Sequence, residues 1–309
     1  MSRLTDELSS GQVADIREVL SGNHNYLTGL ERSLEVLDGY SVANAEATYF
    51  TGAMQITLER VQNFGSELGL DLILAGGGPI GVISGNPSDN AQIQLQGVIN
   101  SLNDDVAGRS MFAGTTTDQT PLPSADDLLA QVLAVVTGQT TPEDIVAAAE
   151  NWFNDPAGFD TVAYTGSDTA LAPFVLSDTE RVTLDVRAND PAVKDLLLHM
   201  TVAALAEDPV LGLDVNQQSE LLRINGLGLQ SNQDQLTSLR AKIGFTEERI
   251  SLIAARNQAE ETSTEFARNA LLAADPFETA TELENVQFQL QGLYSVTVRS
   301  SQLSLVNFL

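Results

Sequence analysis

The fold is set by residues 236–274, which read LTSLRAKIGFTEERISLIAARNQAEETSTEFARNALLAA. Alternating steps of three and four residues connect a row of positions in this stretch, among them Leu236, Leu239, Ile243, Ile250, Ile253 and Ala274. Such spacing is typical of a long helix that packs lengthwise against another helix. Some positions in the middle of the row, such as Asn257, are polar. Polar layers of this kind cost stability but fix the register of two helices.

A second helix is predicted directly after this one. Asp275 can cap its first turn, Pro276 suits its first position, and Glu278 completes a capping box. Its apolar residues form the stripe Leu283, Val286, Leu290, Leu293, Val298, Leu305, Phe308 and Leu309. An apolar stripe at a chain end needs a partner, so we predict that residues 276–309 are an assembly helix and that this stripe is its interface.

The N-terminal half carries a matching pattern. From His24 to Gln62 the chain again has steps of three and four residues, with leucines first and polar residues in the middle. We predict a helix over residues 24–64 that lies antiparallel to the 236–274 helix. A glycine-rich irregular segment is expected from Phe64 to Pro87, and another helix over residues 88–108.

The middle of the chain has a different character. Ser124, Thr141 and Asp190 each precede a predicted helix as its cap. Strands are predicted over residues 161–164, 171–176 and 181–187, the last with the alternating apolar residues of a half-buried strand.

The predicted fold is therefore mainly α, an elongated bundle of long helices built from both chain ends with a small inserted α/β domain. Residues 1–119 and 208–275 would form the helical rod, with helices over 24–64, 88–108, 216–243 and 244–274. Residues 120–207 would form the insertion, and 276–309 the assembly helix.

Composition limits the possible functions. The 309 residues have a net charge of −27, which disfavours nucleic acid and anionic membrane surfaces as partners. There is no cysteine, so disulfides, thiolate catalysis and zinc fingers are excluded. The sequence from Met1 has no secretory signal, and no apolar run is long enough for membrane insertion.

Candidate catalytic features are few. Gly76–Gly81 matches the glycine spacing of dinucleotide sites, but the helix that should begin inside that motif is not indicated. His24 and His199, the only histidines, have no recognisable partners for catalysis or metal binding. We therefore predict no catalytic, cofactor or metal site, and no enzyme. An enzyme that binds a nucleotide at the glycine motif is the weakest alternative.

Several short motifs resemble the bacterial flagellin family, and within it the branch of hook–filament junction proteins. Leu8-Ser9-Ser10-Gly11 is similar to the L-S-S-G near the family's N-terminus, which follows a longer helix than the one starting at Met1 here. Phe112-Ala113-Gly114 is similar to the motif that closes the N-terminal half of junction proteins. The segments after Asp275 and from Leu303 to Leu309 resemble the final helix of the family.

This resemblance implies a structural subunit that is secreted to the extracellular flagellum without a cleaved signal. Its implied partners are hook-associated protein 1, flagellin, the flagellar type III export machinery and an export chaperone. It would associate with itself in an adaptor ring between hook and filament. Two alternatives remain open: a filament flagellin, and a cytosolic coiled-coil adaptor that binds one partner through the C-terminal helix.

Overall fold

The computed structural model describes residues 1–15, 24–77 and 86–306, with side chains described as far as residue 301. The described residues form nine helices and four short strands. In chain order they are α1 (Ser2–Ser10), α2 (His24–Gly77), α3 (Pro87–Leu102), β1 (Asp105–Val106), β2 (Arg109–Ser110), α4 (Ala125–Val136), α5 (Pro142–Asn154), α6 (Phe159–Val162), β3 (Phe174–Val175), β4 (Arg181–Val182), α7 (Pro191–Ala204), α8 (Val215–Leu272) and α9 (Pro276–Val306). The predicted mainly α fold, with long helices from both chain ends, is confirmed.

The predicted antiparallel pairing of the two long helices is confirmed where α2 and α8 exchange side-chain hydrogen bonds. Gln55 Nε2 donates to the Arg240 carbonyl at 2.9 Å, and Gln62 Nε2 donates to Thr237 Oγ1 at 2.9 Å. Further along, Gln230 Nε2 donates to the Ser66 carbonyl at 2.9 Å. Residue numbers rise on one helix as they fall on the other, so polar residues fix the register of the pair.

Helix α2 is longer than predicted, because Phe64–Gly77 is helical and not irregular. Glycine normally weakens a helix interior. Here glycines lie where the two helices approach most closely. A Cβ on Gly76 would lie 2.4 Å from the Ser219 carbonyl oxygen, and one on Gly226 would lie 2.9 Å from the Gly69 carbonyl oxygen. Close packing therefore overrides the helix propensity of these residues.

Two other helix boundaries differ from the prediction. The predicted helices over 216–243 and 244–274 are one continuous helix, α8. Gly244 lies in its interior, where an added Cβ would make only an ordinary contact with Gln55 Nε2 at 3.7 Å. Ile243 and Ile250 are buried on either side of it. Helix α3 ends at Leu102 instead of residue 108. The residues predicted as the end of this helix instead enter a hairpin formed by β1 and β2. Its turn residues, Ala107 and Gly108, have φ values of 53° and 77°. Two positive φ values are typical of a tight hairpin turn.

The predicted insertion contains the expected capped helices but less strand than predicted. Ser124, Thr141 and Asp190 accept hydrogen bonds from the first turns of α4, α5 and α7. Residues 161–164 are not a strand, because 159–162 form the short helix α6. Only two residues of each other predicted strand pair, Phe174 with Val182 and Val175 with Arg181. Alternate side chains from Val182 to Val186 are nevertheless buried, as the sequence pattern indicates.

Helix α7 lies at the centre of the hydrophobic core. Every residue from Ala192 to Ala203 except Asp195 is buried. Such a helix must be covered on all sides, and α3, α4 and α5 pack against it. The core therefore joins elements that lie before and within the predicted insertion.

Packing divides the chain into two compact units. One consists of residues 1–41 and 255–309, and the other of residues 42–254. The predicted domains had their boundaries elsewhere, at 119/120, 207/208 and 275/276. That those segments are separate domains stays a prediction.

Candidate assembly surface on the C-terminal helix

The start of α9 is fixed by the predicted cap. Asp275 Oδ1 accepts hydrogen bonds from the backbone N–H groups of Phe277 at 2.8 Å and Glu278 at 3.2 Å. The Asp275 carbonyl accepts from the Thr279 N–H at 2.9 Å. Pro276 occupies the first helical position, where its missing N–H costs nothing. These local contacts separate α8 from α9 and stabilise the first turn of α9.

The L-S-S-G stretch holds α1 beside the link between α8 and α9. Gly11 adopts a left-handed conformation, with φ of 69°, and its N–H caps α1 by donating to the Glu7 carbonyl. The Gly11 carbonyl accepts from the Ala274 N–H at 2.9 Å, and the Val13 N–H donates to the Leu272 carbonyl at 3.0 Å. The glycine therefore permits a small antiparallel bridge that joins the N-terminal segment to the α8–α9 link.

The serines and leucine of the same stretch are exposed. Ser9 Oγ donates to the Asp6 carbonyl at 3.0 Å, and Ser10 Oγ accepts from the Gln12 N–H at 3.2 Å. Leu8 points to solvent, whereas Leu4 is the buried leucine of α1. The motif thus has a structural role, and Gly11 is its one residue whose backbone conformation, with a positive φ, favours glycine.

Helix α1 packs against α9, so the predicted stripe is not bare along its whole length. Leu283, Val286 and Leu290 are half-buried within this unit. This corrects the expectation that the stripe has no partner inside the chain. From Gln291 to Ser301, however, every side chain is exposed. Leu293 is 63% exposed and Val298 is 55% exposed.

The end of the predicted stripe cannot be described in the same way. Leu305 lies in the helical backbone of α9, but its side chain is outside the described part of the chain. Phe308 and Leu309 are outside the described residues altogether.

The structure adds a second set of exposed apolar residues on α9 that the stripe did not include. They are Phe277, Phe288, Tyr294 and Val296. Phe277 and Phe288 are eleven residues apart, which places them on one side of a helix after three turns. That spacing is present in the sequence, but the predicted stripe follows a different side of the helix and does not include these residues.

The exposed part of α9 is largely free of charged residues. Glu278, Glu282 and Glu284 lie near its start and Arg299 near its end, while residues 285–298 contain no charged side chain. A contact that covers residues 285–298 would bury no charge without a partner. This matters because an unpaired buried charge is costly.

The Phe112-Ala113-Gly114 motif belongs to the other compact unit and is structural. Phe112 and Ala113 are fully buried. The Ala113 carbonyl accepts from the Ser167 N–H at 2.9 Å, and the Thr115 N–H donates to the Thr169 carbonyl at 3.1 Å. Gly114 has φ of 63°, and a Cβ there would lie 2.4 Å from the Thr169 carbonyl oxygen. The motif therefore holds the 167–169 loop in place through these backbone hydrogen bonds.

Tyr164 contacts the same 167–169 loop. Its hydroxyl donates to the Ser167 carbonyl at 3.1 Å. Burial raises the pKa of the Tyr164 hydroxyl to about 12, because the phenolate would lose its hydration in this position.

The remaining candidate residues do not form a chemical site. Gly76 and Gly77 end α2, and Gly78–Gly81 lie outside the described residues. His24 is exposed at the start of α2, while the buried His199 contacts Asn225 Oδ1 through Nδ1 at 3.0 Å. In the described part of the chain, no three His, Cys, Asp or Glu residues gather as a metal site would require. None of the described helices has the length and apolar character needed to cross a membrane.

Comparison with known proteins agrees with these features. Residues 228–309 match the model for the C-terminal helical region of bacterial flagellin. The fold is similar to that of a Vibrio parahaemolyticus protein provisionally named a flagellar hook-associated protein. The TM-score is 0.55 and the identity 13%, over 81% of this chain and 99% of the other. A search of curated proteins gives no match. The chain is therefore similar to bacterial flagellin in its C-terminal helical region, and to the Vibrio protein in fold.

Proposed function

We propose that the chain is a structural subunit of the bacterial flagellum that acts as a hook–filament junction protein. In this role it would form an adaptor ring with other copies, in contact with hook-associated protein 1 and flagellin. The family match of residues 228–309 and the fold shared with the Vibrio protein support this proposal. The single observation that carries it is the exposed, uncharged part of α9.

The exposed part of α9 has the properties of an assembly surface. Leu293, Tyr294, Val296 and Val298 are exposed within a run that has no charged residue from 285 to 298. The cores of protein interfaces are depleted of charged residues and enriched in aromatic ones. Full burial of one leucine or valine side chain stabilises an interface by about 1.5–3 kcal/mol. A few such residues are enough to make the contact with neighbouring subunits strong.

The proposal includes a route out of the cell. A subunit of this kind would be secreted through the flagellar type III export machinery, with an export chaperone covering its apolar helix beforehand. Its final location would then be the extracellular flagellum. A filament flagellin would share this route, whereas a cytosolic coiled-coil adaptor would not leave the cell.

Immunogold labelling of sheared flagella distinguishes these functions. We expect label at a single point on each flagellum, where hook and filament meet. Label along the whole filament would support the filament flagellin alternative. Absence from sheared flagella, with all label in the cell, would support the cytosolic adaptor and contradict the proposal.

The surface itself is tested by Leu293→Asp, with Thr281→Asp as a control that adds the same charge at an exposed position in the already acidic start of α9. Because Leu293 is exposed in the isolated chain, Leu293→Asp should leave the melting transition unchanged. In the assembled state it buries a charge, so it should remove the protein from flagella. The Thr281→Asp variant should still assemble. A lowered melting temperature of Leu293→Asp would instead mean that this residue belongs to the core.

A further inference from the structure

A chemically labile pair of residues lies in the buried part of α8. Asn225 is followed by Gly226, and it is the only asparagine of the sequence that a glycine follows. In a flexible chain, the backbone nitrogen of such a glycine can attack the side-chain amide of the asparagine, because glycine has no Cβ to hinder the approach. The asparagine then loses its amide group, a reaction called deamidation. The pair is therefore at risk whenever the chain is not folded.

Deamidation of this pair would proceed in two balanced steps. The Gly226 nitrogen gives up its proton and forms a bond to Asn225 Cγ, while the bond from Cγ to Nδ2 breaks and ammonia leaves. Water then opens the resulting succinimide ring at one of its two carbonyl groups. The products are aspartate at position 225 or isoaspartate, in which the side-chain carbon becomes part of the backbone. Water is the only co-reactant.

Both residues of the pair have a structural role in the folded chain. Gly226 lies where α8 approaches α2, since a Cβ there would lie 2.9 Å from the Gly69 carbonyl oxygen. Asn225 is fully buried, and its Nδ2 donates to the Leu221 carbonyl at 2.8 Å. Its Oδ1 is therefore an acceptor, and His199 Nδ1 donates to it at 3.0 Å. Replacement of either residue of the pair would lose one of these contacts.

The fold blocks the reaction at both atoms that must meet. In an α-helix each backbone N–H donates to the carbonyl four residues earlier, so the Gly226 nitrogen is engaged within α8. The side-chain amide of Asn225 is held by its hydrogen bonds to Leu221 and His199. Because Asn225 is fully buried, bulk water does not reach its amide. The folded chain therefore protects the pair.

The two products do not fit the folded structure. Aspartate at position 225 would place a carboxylate oxygen, in place of the N–H donor, against the Leu221 carbonyl. It would also bring a second carboxylate to His199, whose Nε2 already lies 3.7 Å from Asp195 Oδ1. A buried charge without sufficient partners is costly. Isoaspartate would lengthen the backbone inside α8, next to the close contact of Gly226 with α2, and interrupt the hydrogen bonds of the helix.

We propose that Asn225-Gly226 is a deamidation site that is open only in the unfolded chain, and that its modification prevents chains that have stayed unfolded from folding later. The site thus limits the time for which an unfolded chain stays competent to fold. This inference concerns the chain before it folds, so it does not depend on the proposed function or on the α9 surface.

Peptide mapping by mass spectrometry tests the site. The full-length chain is incubated in mildly alkaline buffer, with and without guanidinium chloride. Trypsin then releases residues 224–240, which contain Asn225 together with Asn232 as an internal control that is followed by glutamine. In denaturant, we expect Asn225 to deamidate at least about tenfold faster than Asn232, because glycine does not hinder the ring closure. In the folded chain we expect no deamidation at either residue.

Two results of this experiment would overturn the proposal. Equal rates at Asn225 and Asn232 in denaturant would mean that the pair is not labile. Equal rates at Asn225 in the folded and unfolded chain would mean that the fold does not protect it. Gly226→Ala is measured in denaturant, where the variant need not fold, and it should slow the reaction at Asn225. An unchanged rate would exclude the attack by the nitrogen of residue 226.

Refolding tests the consequence of the modification. After incubation the denaturant is diluted, and folded chains are separated from aggregates by size-exclusion chromatography. We expect chains deamidated at Asn225 to be depleted about tenfold from the folded fraction, because their products bury an unpaired charge or break α8. Equal proportions of deamidated chains in both fractions would overturn the effect on folding.

A variant supplies the aspartate product alone. Asn225→Asp should unfold at a lower urea concentration than the unmodified chain. Asn216→Asp is the matched control, since it makes the same change at an exposed position in the first turn of the same helix. It should leave the unfolding midpoint unchanged or slightly raised, because acidic residues suit a helix start. An Asn225→Asp midpoint equal to that of the control would contradict the proposal.

Discussion

The substitution Gly226→Ala tests whether the close approach of α2 and α8 shapes this fold. A Cβ at residue 226 would lie 2.9 Å from the Gly69 carbonyl oxygen and 2.9 Å from the Ile73 backbone nitrogen. Both are backbone atoms, so the new methyl group can be accommodated only if the helices move apart. Gly244→Ala in the same helix is the matched control. There the nearest atom is Gln55 Nε2 at 3.7 Å, an ordinary contact distance.

The expected effects have opposite sign. Replacing a helical glycine by alanine stabilises a helix by about 0.5–1 kcal/mol, and Gly244→Ala should gain this amount. Gly226→Ala gains the same term but loses about 1–3 kcal/mol to overpacking. It should therefore destabilise the chain by about 1 kcal/mol. The difference between the two variants, about 1–3 kcal/mol, isolates the cost of separating the helices.

Urea unfolding followed by tryptophan fluorescence measures this difference. Trp152 is the only tryptophan and lies in the same compact unit, with its ring 5.0 Å from that of Phe153 and 6.0 Å from that of Phe159. We expect the unfolding midpoint of Gly226→Ala below that of the unmodified chain, and that of Gly244→Ala above it. If both variants are stabilised equally, the glycines do not mark a close helix contact and the explanation for the length of α2 is wrong.

Three further outcomes follow from local contacts. The raised pKa of Tyr164 means that its contribution to stability is complete below pH 10 and is lost as the pH rises from 10 to about 12. Tyr164→Phe should remove that part of the stability loss at alkaline pH, measured as urea unfolding midpoints between pH 10 and about 12. If the variant keeps the same pH dependence of stability, the loss does not come from Tyr164. Asp275→Ala should cost about 1 kcal/mol at the start of α9, seen as faster hydrogen exchange of the Phe277 and Glu278 amides, whereas Asp275→Ser should retain protection. Gly11→Ala forces a non-glycine residue into the left-handed region at a cost of about 1–2 kcal/mol. It should speed exchange of the Ala274 amide, while an unchanged rate would mean that the bridge survives without glycine.

Features that depend on a few neighbouring residues were predictable from the sequence. The caps at Ser124, Thr141, Asp190 and Asp275 are correct because each depends on a side chain and the next three backbone N–H groups. The pairing of the two long helices was also predictable, since their heptad steps continue over many turns.

Features that depend on distant residues were not predictable in the same way. The glycines from Gly65 to Gly77 indicate a loop when considered alone, and their helical role requires knowing that α8 lies against them. The strand at Arg181 is shorter than its alternating pattern, because Leu184 and Val186 are buried without joining the two-residue ladder with Phe174 and Val175. The partial cover of α9 was missed because it depends on the bridge between Gly11 and Ala274, two residues from opposite chain ends.

The candidate surface on α9 was predictable in position but not in extent. The stripe Leu283–Leu293 follows from periodicity, whereas the boundary near Leu290 between half-buried and exposed residues requires the packing of α1. The exposed Phe277 and Phe288 lie on a different side of the helix from the predicted stripe, so the periodicity of that stripe does not include them.

Trypsin cleavage after Arg299 tests the central claim most directly, that the end of α9 is exposed in the free chain and covered in the flagellum. Arg299 is exposed and is the only basic residue of α9. The cleavage rate is compared by mass spectrometry between the purified chain and sheared flagella that contain it. We predict rapid cleavage in the free chain and strong protection in flagella. Equal cleavage rates in the two samples would contradict the assignment of α9 as the assembly helix.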